Sequence, residues 1–405
     1  MIKTIRFKIL LLIVGGLGIG AIGLVTYFNR IYERNAERLT KESIRSAAVA
    51  FSEVERTSTE LMTASVSAVM RDPEVRAGIL AKDPARLLAL SQPLYRDWRA
   101  RFGITHWNYW EAEQAGDMNA KGLRNILRVG TPDMHGDFVE RITLARVARE
   151  RRLVSGLDLG YTGMVQRVLV PVEDGGRVIG YLELGKEING FLGQIKKVSG
   201  DDYGLLLTKS RMDEKKWSTH RAAGNLKNNW GDMPDLLLAS NTSDDEEILQ
   251  YPGKIADIPD DGLPLEILTK SGKTMARGVF PIHDVSGARV GAVFVLHDIT
   301  SVYDEMRSGQ RQAVLGVAVL MIILASLFYF VFQVLIVRRL QHMINVATRV
   351  VGGEFDLEIV PSAEDEIGTF ETLFEQFRML FVELIGQQSQ APRATGTTGR
   401  GPGGR

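Results

Sequence analysis

Two uncharged apolar stretches dominate the hydrophobic pattern of this chain. One runs from Ile9 to Phe28 over 20 residues, and the other from Ala313 to Val337 over 25, with Gln333 as its strongly polar member. Because a helix needs about 20 apolar residues to cross a bilayer, each stretch predicts a transmembrane helix. A cleaved signal peptide is the alternative for the first stretch. That stretch is longer than a usual signal core, however, and no small-x-small cleavage site follows it.

Basic residues flank the two stretches on one side. Lys3, Arg6 and Lys8 precede the first, and Arg338 and Arg339 directly follow the second. Segments beside a span that carry the excess of Lys and Arg remain in the cytoplasm. Both chain ends are therefore expected in the cytoplasm, and the long segment between the spans is expected outside the inner membrane, in the periplasm.

The pattern between the two stretches changes from helical to β-rich. A long helix is predicted from Ile31 to about Met70, where apolar residues recur at helical spacing, and a second helical stretch covers about 73–101. Short runs bounded by Gly, Pro and Asp then predict strands at Ile126–Val129, Val165–Val172, Val178–Leu184, Tyr203–Leu207, Thr274–Pro281 and Arg289–Leu296. The segment 208–262 is polar and has the composition of loops. This order of elements predicts an α+β fold with antiparallel sheets.

Two of the predicted hairpins resemble each other. Each has an Arg four residues before a Pro, at Arg167 and Pro171 and again at Arg277 and Pro281, followed by a turn with Asp and Gly and a second apolar strand. Turn chemistry alone explains the shared Asp and Gly but not the shared Arg-to-Pro spacing. We therefore expect two modules of one fold in tandem. The alternative is two unrelated hairpins with common turn residues.

The region between the spans resembles the double Cache sensor domains, over about residues 30–300. The segments that carry this resemblance are Leu127–Val129, Pro132, Gly136–Asp137, Arg141, Gly156–Gly160, Arg167–Pro171 and Gly180–Gly185. Double Cache domains are tandem PAS-like modules that follow a long N-terminal helix in bacterial chemoreceptors and sensor histidine kinases. The resemblance therefore implies an extracytoplasmic sensor of a small molecule, in chemotaxis or in a two-component system.

Two short helical patterns follow the second span. Apolar residues step by three and four through one set in each pattern: Leu340, Ile344, Ala347 and Val351, and then Ile367, Phe370, Phe374, Phe377, Phe381 and Leu384. Such steps are typical of coiled-coil seams, and a seam of this kind predicts a homodimer.

The connector between these patterns completes a second resemblance. Gly352–Asp356 and Asp365–Gly368, which includes Glu366, are similar to the marks of a HAMP relay domain, a parallel coiled-coil bundle. The usual Pro near the start of the first helix is missing, since Arg338–Leu340 stands there. The alternative is an amphipathic hairpin on the membrane surface, which the excess of acidic residues in this region disfavours.

Composition narrows the function further. The 49 basic and 49 acidic residues balance, which gives no signature of nucleic-acid binding. The absence of Cys excludes disulfides, thiolate metal sites and Cys nucleophiles. The six His are scattered without the i, i+4 spacing of a helical metal site, and the sequence has no phosphate-binding loop or nucleophile elbow. We therefore expect no enzyme activity, no metal and no cofactor.

One strand of the first module concentrates aromatic and polar residues that suit ligand binding. Alternation places His106 and Trp110 on one face of this strand and Trp107 and Tyr109 on the other. The other candidate binding residues are Arg128, Asp137, Arg141, Arg167 and Glu183. Arginine suits bidentate capture of an anionic ligand, whereas the two acids would hold an amine or orient the arginines. The alternative is that the aromatics are core residues and the charges form structural ion pairs.

These patterns together predict a multi-pass membrane sensor that forms a homodimer in the lipid bilayer. The tail after the relay is short and Gly-rich, so the output is expected to lie in a separate cytoplasmic protein such as a kinase or cyclase. The expected segments are 1–8 (cytoplasmic), 9–28 (membrane), 29–312 (sensor, with modules at about 31–205 and 206–305), 313–337 (membrane), 338–388 (relay) and 389–405 (disordered tail). If the first module binds nothing, the second is the next candidate, near Arg277 and His283.

Three alternatives to a complete sensor stay open at this point. The chain can be a membrane-tethered binding or scaffolding protein that does not switch. It can also be a truncated sensor histidine kinase or chemoreceptor. An enzyme acting outside the membrane is the least favoured, because no catalytic set is found.

Overall fold

A computed structural model describes residues 2–112, 122–361 and 363–389 of the chain. The predicted tail 389–405 lies outside the described residues except for Ser389. The chain divides into two compact units, of which one is Arg30–Arg307 and the other combines Met1–Asn29 with Ser308–Arg405.

Three helices precede the first sheet. They are α1 (Ile2–Val69), α2 (Pro73–Leu80) and α3 (Pro84–Phe102). The helical stretch predicted over 73–101 is therefore divided in two. Asp72 caps α2 by accepting a hydrogen bond from the Glu74 amide at 2.8 Å, and Asp83 caps α3 in the same way. Asp caps the first amides of a helix and Pro fits its first turn, so the second Asp-Pro pair starts a new helix there.

The first module is built on a six-stranded antiparallel sheet with the order β3-β2-β1-β6-β5-β4. The strands are β1 (His106–Glu111), β2 (Leu123–Arg128), β3 (Phe138–Val139), β4 (Val154–Leu159), β5 (Met164–Asp174) and β6 (Arg177–Glu187). One face packs on α1, α2 and α3 around Met62 and Trp107. The other face packs on α4 (Ile142–Glu150) around Trp110 and Leu144. Each face of the sheet therefore has its own hydrophobic core.

The second module has a five-stranded antiparallel sheet with the order β8-β7-β11-β10-β9. The strands are β7 (Asp202–Thr208), β8 (Leu236–Asn241), β9 (Leu263–Lys270), β10 (Lys273–His283) and β11 (Arg289–Asp298). Helix α5 (Asn189–Ser199) connects the two sheets. The whole of β7, from Asp202 onward, belongs to the second sheet.

The segment 208–262 is folded, contrary to its loop-like composition. It holds α6 (Glu214–Ala223), β8 and three short 3-10 turns. Trp217 of α6 is buried in the core and its indole donates a hydrogen bond to Asn229 at 3.1 Å. The short elements and their polar exposed faces lack the long periodic pattern that identifies a helix or strand in a sequence.

The two similar hairpins share register as well as sequence. Arg167 pairs with Gly185 across β5 and β6, and Arg277 pairs with Leu296 across β10 and β11. Each hairpin has its register shift directly after the residue that follows its Pro, between 172 and 173 and between 282 and 283. A bulge at the same position is a feature of one motif and not of turn composition. The tandem α+β modules expected from the sequence are therefore present.

A histidine of the second module joins β11 to the start of β7. The Nδ1 atom of His297 lies 2.7 Å from Oδ1 of Asp201, and Ser43 of α1 donates a hydrogen bond to the same carboxylate at 3.3 Å. The hydrogen bond to Asp201 raises the pKa of His297 above its ordinary value of 6.5. A His whose folded pKa is raised stabilises the fold fully below its unfolded pKa, and this stabilisation is lost as the pH rises through the folded pKa.

We therefore expect the second module to lose stability above pH 6.5 through this pair. The loss should stay below about 1 kcal/mol, because the His297 side chain is partly exposed to solvent. Melting temperatures of the protein and of His297→Gln, compared at pH 6 and pH 9, measure the effect, with the exposed His220→Gln as control. If both variants show the same pH dependence as the unchanged protein, the pair does not contribute.

The other unit contains a long exposed apolar helix. Helix α7 (Thr300–Phe332), a π-helical turn (Gln333–Val337) and α8 (Arg338–Val351) follow one another without a break. Within the described residues, Thr300–Val351 is the helix whose length and composition suffice to cross a membrane. It contains the second predicted span. The first predicted span lies in α1, where many side chains are outside the description, and it stays a prediction.

Helix α9 (Glu366–Ser389) packs against α8 through a small apolar cluster. Met343, Val346 and Ile359 are buried there, with Val350 and Phe374 packed against them. Of the predicted relay residues, Ala347, Ile367 and Phe374 are partly buried, whereas Leu340, Ile344, Glu366, Phe370 and Phe377 are exposed. Phe374 thus lies on the face that α8 and α9 bury against each other, most of the predicted seam is exposed in the single chain, and the seam between two copies stays a prediction. Two helices in one chain bury one stripe each, and the spacing in the sequence does not show which stripe that is.

Candidate functional site

Strand β1 sends its aromatic residues to both faces of the first sheet. Trp107 and Tyr109 lie in the core on the helix side, where Trp107 stacks on Trp98 at 5.0 Å and the Tyr109 hydroxyl lies 2.7 Å from Oγ of Ser91. Trp110 lies on the opposite side, under α4. The structure therefore separates the four predicted residues of this strand, and Trp107 and Tyr109 have a packing role.

Four charged side chains meet under α4, and we call Asp158, Arg141, Arg167 and Glu183 the Glu183 cluster. Arg141 donates two parallel hydrogen bonds to the Glu183 carboxylate, at 2.9 and 3.0 Å. Arg167 donates to the same carboxylate, and its Nε lies 3.5 Å from Oδ2 of Asp158. The indole of Trp110 donates to Glu183 Oε2 at 2.7 Å. Two cations and two anions thus balance inside the module.

The neighbouring charges determine the ionisation of this cluster. Burial alone would raise the pKa of the Glu183 carboxyl, but Arg141 and Arg167 outweigh it and hold that pKa well below its usual range. Burial and the charge of Arg141 lower the pKa of Arg167, whereas Glu183 acts in the opposite direction. Guanidinium groups stay protonated in proteins, so Arg141, Arg167 and Glu183 are all ionised at neutral pH.

His106 lies beside this cluster at the start of β1. Its Nδ1 atom lies 2.9 Å from the Thr105 hydroxyl. Burial, followed by the positive charge of Arg167, lowers the pKa of His106 to about 3. The imidazole is therefore neutral at physiological pH and adds no charge to the cluster.

Arg141 differs from the other members of the cluster in position and exposure. Its side chain is 15% exposed, whereas those of Arg167 and Glu183 are 7% and 0% exposed. Its guanidinium lies over the Trp110 ring at 5.1 Å. Arg141 precedes α4 directly, with no side-chain cap bond at that helix end, while the other three members lie on strands of the sheet. The cluster is therefore open toward solvent on the side of Arg141.

Arg128 and Asp137 form a second, separate ion pair. Arg128 donates to both carboxylate oxygens, at 2.6 and 2.8 Å, and also to the Met134 carbonyl. The pair closes the loop between β2 and β3 and has no contact with Glu183 among the described residues. Of the nine predicted binding residues, four meet directly, as Trp110, Arg141, Arg167 and Glu183.

Two participants were missed by the sequence reasoning. Asp158 is buried and accepts a hydrogen bond from the Thr143 hydroxyl at 2.8 Å, which fixes the first turn of α4 on the sheet. Asp158 lies within the Gly156–Gly160 segment that carried the family resemblance, so a signal for it was present. Nothing in the sequence distinguishes Thr143 from other threonines. Among the described residues, no three His, Cys, Asp or Glu side chains form a possible metal site.

Among the residues that the structure describes, the second module has no cluster comparable to the Glu183 cluster. In the shared hairpin register, Phe294 occupies the position of Glu183 and is fully buried. Arg277 donates to the Glu266 carbonyl at 3.0 Å, and His283 lies 3.5 Å from Asp260 near the surface. A charged side chain at this position of the hairpin is therefore found in the first module and not in the second.

A long helix followed by two PAS-like modules is the architecture of a double sensory domain. The family model for the double sensory domain of two-component sensor kinases matches residues 41–303, and the chain belongs to this double Cache family. None of the curated proteins matches the chain.

Solved structures of sensory domains are similar to this chain at low identity. The Vibrio cholerae LuxQ periplasmic domain is 11% identical, with a TM-score of 0.35 over 65% of this chain and 98% of that one. The sensory domain of the Campylobacter jejuni chemoreceptor Tlp3 is 7% identical, with a TM-score of 0.38 over 69% and 99%. A further Tlp3 structure contains L-valine, at 8% identity and a TM-score of 0.36 over 69% and 98%. The family assignment rests on the match over 41–303.

Proposed function

We propose that this protein is a dimeric transmembrane receptor that binds a small ligand at the Glu183 cluster and passes the change to a cytoplasmic output protein. Its membership in a family of sensory domains supports the sensing role. The exposed apolar helix Thr300–Val351 supports a membrane anchor. The receptor is expected in the inner membrane, with the double sensory region in the periplasm and both chain ends in the cytoplasm.

The position of Arg141 carries the ligand proposal. This guanidinium is the most exposed group of the cluster and is held by one bidentate pair with Glu183. A ligand carboxylate can share it, because Arg has five donors in a fixed fork and only two of them are used by Glu183. The ligand class is therefore a small organic anion that binds at the solvent-exposed side of the Arg141 guanidinium. An amine would face two cations and is disfavoured.

Helix α4 supplies a contact from the cluster to the second module. Arg141 precedes this helix, and Arg146 within it donates a hydrogen bond to the Val285 carbonyl at 2.8 Å. Val285 lies in the turn between β10 and β11, and its amide donates to the Leu157 carbonyl at 2.8 Å. Strand β11 is followed directly by α7. A shift of Arg141 on ligand binding would bias this packed contact, which is how a ligand selects between two arrangements.

The relay part of the proposal uses the exposed apolar residues of α8 and α9. Phe377 is 60% exposed and Leu340 is 38% exposed. Apolar residues of this size at helical spacing indicate a surface that another helix covers, and a second copy of the chain would supply it. A tethered protein without switching is the competing proposal, and the same helices would then only hold the dimer together.

Crosslinking in the full chain tests the proposed function. The chain has no Cys, so Phe377→Cys gives one reporter position. We expect that a ligand found in a panel of small organic acids, amino acids and amines changes the crosslinking yield between copies. Adding Arg141→Lys, which keeps the charge but not the fork, should weaken the ligand at least about tenfold, since a hydrogen bond to a charged group contributes about 1.5–3 kcal/mol.

Arg149→Lys is the matched control for this experiment. Arg149 lies on the same helix and is exposed, so its replacement should leave the ligand response unchanged. Equal crosslinking with and without every bound ligand would support the tethered protein. An equal ligand response in the two Lys variants would show that the ligand binds away from Arg141.

A further inference from the structure

A cavity of about 630 Å³ opens between α1, the corner that joins α3 to β1, the end of β6 and the start of α5. It lies apart from the Glu183 cluster, since no lining residue belongs to that cluster. A volume of this size is within the range of small-molecule sites. Its four walls come from the long helix, the first module and the connection to the second module.

Lys186 supplies the cavity with a cation. Among the described residues no carboxylate lies within ion-pair distance of its ammonium group, which is placed over the Phe191 ring at 5.4 Å. Partial burial lowers the pKa of Lys186. Burial removes water that would stabilise the ammonium charge, and a bound anion would stabilise that charge instead.

Ser58 of α1 supplies an unpaired hydroxyl. Its side chain lines the cavity and is 6% exposed, and its Oγ has no hydrogen-bond partner among the described residues. Other hydroxyls on the same helix are paired, as Thr40 and Ser65 donate to the carbonyl four residues earlier. A buried polar group without a partner is rare in folded proteins, and Ser58 is one in the wall of this cavity.

The first turn of α5 faces the same cavity. Asn189 and Gly190 are lining residues, and Ile188 at the N-cap provides no side-chain acceptor for the first amides. Helix N-termini with uncapped amides favour anions. The 11-residue helix, the lysine and the serine thus point to one kind of ligand.

The remaining lining residues limit the ligand further. Val54, Leu61 and Phe102 form an apolar wall. At the rim, Glu53 pairs with Arg56 and Arg101 with Asp97, but Glu187 has no such cation within ion-pair distance among the described residues. A second negative charge on the ligand would meet Glu187, so a single charge is preferred.

We propose that this cavity is a second ligand site, for a small monocarboxylate with a short apolar chain. The carboxylate is held by Lys186, Ser58 and the first turn of α5, and the chain lies on the apolar wall. The site is independent of the Glu183 cluster. Because the cavity is lined by both α1 and α5, a bound ligand would stabilise the packing of α5, which connects the two modules, against α1.

Calorimetry on the full chain in lipid nanodiscs tests this site, with hexanoate as the probe and empty nanodiscs as the blank. Hexanoate should bind, whereas hexylamine and the dianion adipate should bind at least tenfold more weakly. Lys186→Met, which keeps most of the side-chain stem, should weaken hexanoate at least tenfold, and Ser58→Ala should weaken it two- to fivefold. Lys197→Met on the exposed side of α5 is the matched control and should change nothing.

Three results would overturn the proposal. The first is no hexanoate binding at roughly 10 mM, the weak limit of specific affinity here. The second is equal binding of hexanoate and hexylamine. The third is unchanged binding in both Lys186→Met and Ser58→Ala. Arg141→Lys should keep hexanoate binding. If it loses that binding, the carboxylate binds at the Glu183 cluster, which separates a failure of this site from a failure of the proposed receptor function.

Discussion

Glu183→Ala should destabilise the first module by about 3–5 kcal/mol, the cost typical of removing one partner of a buried ion pair. The substitution leaves Arg141 and Arg167 close together without the carboxylate that both contact. It also removes the acceptor of the Trp110 indole. Denaturant unfolding followed by tryptophan fluorescence measures the loss, since Trp107 and Trp110 are buried in this module.

The matched control is Glu173→Ala, an exposed acid on the same hairpin that should change stability by no more than about 0.5 kcal/mol. A double-mutant cycle gives the sharper result. Removing Arg141 together with Glu183 should cost less than the sum of the single changes, because the two groups interact directly. Additive losses would show that the pair contributes no coupling, and a small loss for Glu183→Ala would show that water reaches the cluster.

His106 should make the first module acid-sensitive. Its folded pKa of about 3 lies below the ordinary value of 6.5. Below pH 6.5 the unfolded chain therefore binds a proton that the folded chain does not bind, and stability falls as the pH falls. One pKa unit corresponds to about 1.4 kcal/mol, so the loss between pH 6.5 and pH 5 is about 2 kcal/mol.

Unfolding of the protein and of His106→Gln at pH 7 and pH 5 measures this effect. The variant keeps a neutral polar side chain and should lose the His106 share of the pH dependence. The exposed His135→Gln serves as the control in the same module. His297 acts in the opposite direction, and for this reason the comparison is between variants and not between pH values alone. Equal slopes for all three proteins would mean that His106 titrates normally.

The sequence predicted the modular fold because each level of pattern agreed. Apolar periodicity gave the long helix, alternation gave the strands of both hairpins, and the Arg-to-Pro spacing gave the duplication that the shared register bears out. The elements of the segment 208–262 were not predicted. Helix α6 and strand β8 are too short, and too polar on their exposed sides, to show hydrophobic periodicity.

The candidate site was predicted in composition but not in arrangement. Alternation correctly placed Trp110 on the face opposite Trp107, because side chains in a strand have a period of two. It could not show that Glu183 would be shared between Arg141 and Arg167, since Arg141 lies outside the sheet and its position depends on α4. For the same reason Arg128 was grouped with residues that it does not contact. Contacts between side chains far apart in the sequence depend on the topology of the fold, which residue spacing does not reveal.

The contact between Arg146 and the second module determines which substitutions the turn after β10 can tolerate. The arginine binds the carbonyl of Val285 and not its side chain, and Val285 returns a backbone hydrogen bond to Leu157. A Cβ on Gly156 would lie 3.1 Å from the Val285 side chain, so the closeness of the two backbones depends on this glycine. The docking therefore uses the backbone of Val285, and replacing the Val285 side chain should leave both hydrogen bonds in place. The close approach depends instead on Gly156 and Arg146, on the facing surface of the first module.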